Sequence, residues 1–236
     1  MNSFGRFKSF LTHLDELRRR LIKVLLGFVV ATLVCYNFVG QILPWLIKPA
    51  GHLIFTSPTE AFGAYMTLAA VMGFLISLPW TLYQVWGFVA SALRPGEKKF
   101  IAIFGPLSFL FFILGVLFSY FIAIPLTYRF LMSFSSDSMQ PMITVSHYMG
   151  FLANMLIAFG VTFELPLILA FLAKIGVATP EFLRQKRRHA IMIILIVAAI
   201  VTPPDVISQI LLALPLMALY EVGIILVKMT YKHKTL

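Results

Sequence analysis

The chain contains 236 residues, of which 60% are hydrophobic and only 12% are charged, about half the charged share of an average soluble domain. The mean hydropathy of +0.94 and the 23 phenylalanines exclude a soluble enzyme, a disordered chain and a disulfide scaffold. The single cysteine, Cys35, excludes an intramolecular disulfide and a cysteine-based metal site. The composition therefore predicts an all-α, polytopic membrane protein, with residues 1–236 in a single integral membrane domain.

Six apolar segments follow one another along the chain, and each predicts a transmembrane helix. They cover about 21–43, 65–93, 100–128, 148–173, 190–202 and 206–227. Segments 5 and 6 are predicted to be short, because segment 5 rises only about 20 Å against a hydrocarbon core of roughly 30 Å. These two segments form either a short spanning hairpin, which we favour, or a re-entrant hairpin.

The distribution of basic residues predicts the orientation of the chain. Seventeen of the 19 Lys and Arg residues lie in the two tails, in the first turn of segment 1 (Lys23) and in the loops 94–99 and 174–189, whereas the loops 44–64 and 129–147 carry one each. The positive-inside rule therefore places both termini in the cytoplasm. The net charge of +10 reflects this topology and contact with membrane lipids, and we expect no nucleic-acid partner.

Prolines interrupt four of the six segments, at positions 79, 106, 166 and 215. Each proline frees a carbonyl group and favours a bend in its helix. Several kinked helices in one small bundle predict a concave wall.

Two stretches place acidic residues beside the predicted cytoplasmic surface. Thr12 and Asp15 fit a capping box, which predicts that a helix begins there and runs into segment 1. Glu16 and Arg20 are spaced to pair on one face of that helix. In the loop before segment 3, Glu97 lies near a helix start, where the helix dipole favours an acid. From the residues alone, these acids can have either the structural roles just described or a functional role.

Polar residues also interrupt the later apolar segments. Glu164 lies inside segment 4, where an ionisable group is costly and normally faces a polar cavity or a protein-lined one. Pro203 and Asp205 end segment 5, and Gln209 follows one turn into segment 6, where its amide can bind a neighbouring helix. The sequence contains no catalytic constellation and no metal-ligand spacing, so we expect no enzyme, no metal and no cofactor.

Four motifs resemble the TatC family, the multispanning subunit of the twin-arginine protein translocase. They are His13–Leu21, Tyr83–Phe88, Phe159–Pro166 and Thr202–Gln209, and they occur in the family's order along nearly the whole chain. The resemblance implies a receptor that binds the twin-arginine signal peptides of folded proteins at the cytoplasmic face. It also implies export driven by the proton gradient.

The resemblance also implies roles for particular residues. Glu16 and Glu97 would contact the paired arginines, Arg18 would help to shape that patch, and Phe88 would lie on the same cytoplasmic side. Glu164 would be the buried polar group facing the concave wall. The region of segments 5 and 6 would be a docking face for partner helices, with these residues: Pro203, Asp205 and Gln209.

The implied partners are single-span proteins of the TatA and TatB types, signal peptides, membrane lipids and further copies of the chain. Because no organelle transit peptide precedes Leu11, we expect a prokaryotic inner membrane. A small-solute secondary transporter or channel is the alternative. Its inverted repeats should make segments 1–3 resemble segments 4–6, and the two halves differ in segment length and motif.

Overall fold

A computed structural model describes residues 3–48, 53–93, 98–135, 142–201 and 206–232. In these ranges the chain is almost entirely helical, as predicted. The helices are α1 Ser3–Tyr36, α2 Val39–Ile47, α3 Pro58–Ala92, α4 Ile101–Phe118, α5 Ile124–Met132, α6 Val145–Phe163, α7 Leu165–Lys174, α8 Pro180–Gln185, α9 Arg187–Val201 and α10 Val206–Lys232.

Within the described ranges, four helical stretches are long and apolar enough to cross a membrane. They are Pro58–Ser91, Lys98–Met132, Val145–Lys174 and Leu212–Met229, and the bent pair α1–α2 supplies a fifth if it is counted as one span. The remaining predicted crossing, segment 5, corresponds to α9. Its 15 residues rise only about 22 Å, so the count of six crossings stays a prediction.

The first helix differs from the prediction at both of its ends. It begins at Ser3, so the predicted start at a Thr12–Asp15 capping box is wrong, because helical backbone already extends through those residues. It ends at Tyr36, and α2 leaves it at an angle of 84°. Segment 1 is therefore not one straight helix over 21–43.

Tertiary contacts hold α2 in its bent position. The Tyr120 hydroxyl donates to the Trp45 carbonyl at 2.9 Å, and the Tyr148 hydroxyl donates to the Leu46 carbonyl at 3.1 Å. Both donors come from helices far along the chain. The bend is therefore fixed by residues that a local reading of segment 1 cannot detect.

Segments 3 and 4 both depart from regular α-helix, but in different ways. Helical structure is continuous over Lys98–Met132, with a π-helical turn at Ser119–Ala123 between α4 and α5. Segment 4 breaks at Glu164, and Pro166 lies in the first turn of α7, which confirms the predicted interruption. The other three predicted prolines lie inside helices that continue through them: Pro79, Pro106 and Pro215.

Segments 5 and 6 differ in length. The α9 helix is short, as predicted, whereas α10 has 27 residues and reaches Lys232, so segment 6 is not short as a helix. Within it, Leu212–Met229 is long and apolar enough to cross a membrane.

The α6 helix lies at the centre of the core, with Tyr148, Met155 and Phe159 almost fully buried. It crosses α4 at two facing glycines. A Cβ atom added at Gly115 would lie 3.0 Å from the Gly160 Cα atom, so the two backbones approach this closely because Gly115 lacks a side chain. Gly160 leaves room for the Phe112 ring, which an added Cβ atom there would meet.

Contacts between the helices define two ends of the bundle. At one, which we call the Glu16 end, the Arg20 guanidinium approaches the Gln84 carbonyl at 3.4 Å. At the other, the Glu60 end, Ile54 and Thr144 form an isolated parallel bridge. The Glu60 carboxylate there accepts from the Thr56 amide at 2.8 Å.

Candidate functional site at the Glu16 end

The Glu16 carboxylate forms the centre of a polar cluster on α1. Both the Nε and the Nη2 atoms of Arg20 donate to its Oε1 atom, at 3.0 and 2.7 Å, which confirms the pairing expected from the spacing. The two side chains are 29% and 25% exposed. The pair is thus partly screened by the protein but remains accessible to a ligand.

The neighbouring helix α3 completes this cluster. The Arg20 Nη1 atom lies 3.4 Å from the Gln84 carbonyl and 3.5 Å from the Gln84 side-chain oxygen. The Ser91 side chain lies close to the Glu16 carboxylate, and its hydroxyl donates to the Phe88 carbonyl at 2.7 Å. The Arg20 guanidinium also packs against Gly87, where an added Cβ atom would clash with it. Glycine at this position therefore lets the ion pair lie against the backbone of α3.

An apolar cavity of about 660 Å³ adjoins the cluster, between α3 and α4. Arg20 and Gly87 form its border with the ion pair, and its walls include these apolar residues: Pro79, Leu82, Trp86, Ala90, Ile101 and Phe109. A carboxylate and an apolar groove therefore lie side by side on one surface. Such a surface can bind a cation that is attached to an apolar segment.

The resemblance also assigned Phe88, Arg18 and Glu97 to peptide binding. The Phe88 ring is 5.8 Å from the His13 ring, so Phe88 and α1 meet at the Glu16 end. Arg18 is exposed, and residues two apart on a helix do not face each other, so Arg20 rather than Arg18 contacts Glu16. Glu97 lies outside the described residues.

Glu164 faces α4 at the break between α6 and α7. Its Oε1 atom is buried and has no hydrogen-bond partner in the part of the chain that the structure describes, while Ser108 interacts with its carboxyl group. The Trp86 indole donates to the Ser108 hydroxyl at 2.9 Å. Because Trp86 also lines the apolar cavity, polar contacts connect Glu164 to the groove.

The predicted docking region is only partly described. The Gln209 amide donates to the Leu195 carbonyl at 3.0 Å, so it joins α10 to α9 within the chain. Pro203 and Asp205 lie outside the described residues. Across the described ranges, no group of three His, Cys, Asp or Glu residues is arranged to hold a metal ion.

Sequence reasoning missed the contributions of Gln84, Gly87, Ser108 and Trp86. Gln84, Trp86 and Gly87 lie in the motif Tyr83–Phe88, but the sequence assigned a role there only to Phe88. Gln84 could have been noticed, because it is an amide inside an apolar segment. Ser108 gave no comparable signal. Its role depends on the packing of α4 against the break at Glu164.

The helices expose large apolar side chains along their length, among them Leu33, Ile196 and Ile200. Continuous exposed apolar surface of this kind is typical of helices that face lipid. Together with the four or five candidate spans, it defines a multi-pass helical membrane protein.

The chain belongs to the TatC family. The family model described as "Sec-independent protein translocase protein (TatC)" matches residues 12–215. A relative of the same description from Carboxydothermus hydrogenoformans is 40% identical over 221 residues, covering 92% of this chain and 91% of the relative. TatCd from Bacillus subtilis is 36% identical over 223 residues, covering 94% and 92%.

A solved structure agrees with this assignment. A crystal structure described as the twin-arginine translocase receptor TatC superposes with a TM-score of 0.85 at 37% identity, covering 92% of this chain and 99% of that one. The chain is therefore a component of the Sec-independent protein translocase. The comparisons favour this function over the small-solute transporter or channel that the sequence left as an alternative.

Proposed function

We propose that the chain is the receptor of a twin-arginine translocase and that it binds signal peptides at the Glu16 end. The observation that carries the proposal is that Arg20, the ion-pair partner of the Glu16 carboxylate, also lines the apolar cavity, so the carboxylate and the cavity lie next to each other. A twin-arginine signal peptide combines paired guanidinium groups with an apolar core. Each part would therefore meet a surface of matching chemistry.

The geometry of the ion pair supports an exchange of guanidinium groups. Arg20 donates twice to the Oε1 atom of Glu16 and leaves the Oε2 atom to other donors. A peptide arginine can approach that second oxygen, or can replace Arg20, through its planar fork. Glu97 would bind the second arginine, while Arg18 and Phe88 would border the bound peptide.

The wider assembly is part of the same proposal. Glu164 would be the polar group facing the bound apolar core, and the region of Pro203, Asp205 and Gln209 would dock partners of the TatA and TatB types. The chain would self-associate in a larger complex and act without catalysing a covalent step. Both termini would face the cytoplasm of a prokaryote whose inner membrane holds the complex.

Peptide binding by the full chain in lipid nanodiscs tests the recognition mechanism. We expect wild type to bind a twin-arginine peptide about tenfold more tightly than its twin-lysine counterpart, because lysine offers only a point charge. Glu16→Gln and Glu97→Gln should each weaken binding of the twin-arginine peptide and reduce this preference. Fluorescence anisotropy with a labelled peptide measures both quantities.

Glu181→Gln provides the matched control, because Glu181 is an exposed acid in the first turn of α8. This variant should bind both peptides as wild type does. Equal affinity of wild type for the two peptides would contradict the proposal. So would a loss of affinity in Glu181→Gln as large as that in Glu16→Gln.

A further inference from the structure

Two isolated basic residues converge on one cavity at the Glu60 end. The loops 44–64 and 129–147 carry one basic residue each, and these two residues, Lys48 and Arg129, line the same cavity of about 310 Å³. They come from different helices, because Lys48 follows α2 and Arg129 lies in the last turn of α5. Their convergence is therefore a product of the fold and not of sequence proximity.

Neither basic side chain is neutralised by an acid in the described ranges. The ion pairs there are Glu16–Arg20 and Arg187–Glu221, both at the Glu16 end. Lys48 and Arg129 are exposed. Each charge lies near a helix C-terminus, which favours a cation there, but that effect does not explain why both charges line one cavity.

The aromatic wall of the cavity is held by directed contacts. Tyr120 is fixed to α2 through its hydroxyl, which donates to the Trp45 carbonyl at 2.9 Å. The ring of Tyr128 packs edge-on against Tyr148 at 6.1 Å. Tyr120 and Phe121 also lie in the π-helical turn Ser119–Ala123, and such turns frequently occur at functional sites.

The rim of the cavity is apolar as well as cationic. Phe121 in its lining is 67% exposed, and tyrosines such as Tyr120 and Tyr128, which also line it, favour the level of the lipid headgroups. A matching ligand must therefore be an anion that carries an apolar tail. A phospholipid with a net negative charge has both properties.

We propose that this cavity binds the phosphate headgroup of an anionic phospholipid. The Arg129 guanidinium meets two phosphate oxygens through its fork, and the Lys48 ammonium adds a point charge. Phe121 lies beside the first carbons of the acyl chains. The lipid thereby contacts both Lys48 at the end of α2 and Arg129 in α5.

Native mass spectrometry of the full chain tests the proposal. The purified protein is exchanged into detergent with phosphatidylglycerol, with phosphatidylcholine of the same acyl chains, or with inorganic phosphate. Wild type should retain phosphatidylglycerol in preference to phosphatidylcholine, and inorganic phosphate should not displace it. In the double variant Lys48→Gln/Arg129→Gln the retained phosphatidylglycerol should fall severalfold.

The matched control is Arg184→Gln/Arg188→Gln, which removes two exposed positive charges at the Glu16 end and should retain the lipid as wild type does. Arg129→Lys keeps the charge without the fork and should give an intermediate result, even if the double variant fails to fold. Equal retention of the two lipids by wild type would overturn the proposal. Unchanged retention in the Lys48 and Arg129 variants, or displacement by inorganic phosphate, would also overturn it.

Discussion

The two ends of the helical bundle are held together by different kinds of contact. At the Glu60 end, the Val145 amide donates to the Ile54 carbonyl at 2.9 Å, and the Glu60 carboxylate accepts a hydrogen bond from the Thr56 amide. At the Glu16 end, side-chain ion pairs are prominent, and the pair Arg187–Glu221 is almost half exposed. Backbone hydrogen bonds fix one geometry, whereas exposed ion pairs can exchange partners.

This difference suits the proposed division of work between the ends. A receptor surface must release its resting contacts when a peptide arrives, and the Glu16–Arg20 pair is accessible enough to do so. The Glu60 end has no such requirement and can serve as a rigid frame. Three variants, from the largest expected effect to the smallest, measure the difference.

The largest effect is expected from Glu60→Ala. The variant removes the carboxylate that accepts hydrogen bonds from Thr56 and, at 3.4 Å, from the Ser146 amide. The segments that pair at Ile54 and Val145 thereby lose the side chain that joins them. Hydrogen exchange at the Ile54 and Val145 amides should become faster than in wild type. Glu181→Ala is the control, and unchanged exchange in Glu60→Ala would show that the backbone pairing alone holds this end.

An intermediate effect is expected from Tyr148→Phe. The variant leaves the Leu46 carbonyl without its donor, and the loss of one hydrogen bond should lower the free energy of unfolding by about 1 kcal/mol. Denaturant titration in detergent measures the change. Tyr36→Phe, at an exposed tyrosine, should have little effect, and equal losses in both variants would argue against a specific role for the bond to α2.

The smallest effect is expected from Arg187→Gln at the Glu16 end. The Arg187–Glu221 pair is exposed, so its loss should cost less than about 1 kcal/mol, and salt should reduce that cost further. The same denaturant titration at low and high salt tests this. A loss larger than that of Tyr148→Phe would reverse the proposed ranking of the two ends.

Much of the fold could be predicted from the sequence because long apolar runs determine helices in a membrane. The runs located α3, the continuous stretch 98–132 and the break at Glu164. The bend after Tyr36 could not be predicted, since it depends on hydroxyl groups of Tyr120 and Tyr148 that come from distant helices. The early start of α1 was missed because the capping-box pattern at Thr12–Asp15 predicts a helix start there, although Phe4, Phe7 and Leu11 already recur at helical spacing before it.

The candidate site was predictable only where its contacts are local. The Glu16–Arg20 pair follows directly from residues four apart on one helix. The contributions of Gln84 and Ser91 depend on how α3 packs against α1, which no spacing within either segment reveals. The Ser108 contact with Glu164 likewise joins residues 56 positions apart.

The pairing of Ile54 with Thr144 has a consequence for biogenesis. The two residues of this bridge are separated by 90 positions, a stretch that contains α3, α4 and α5. Because a nascent chain emerges from the ribosome in order, the bridge forms only after those three helices have been synthesised. The Glu60 end therefore stays open while those three helices are being synthesised.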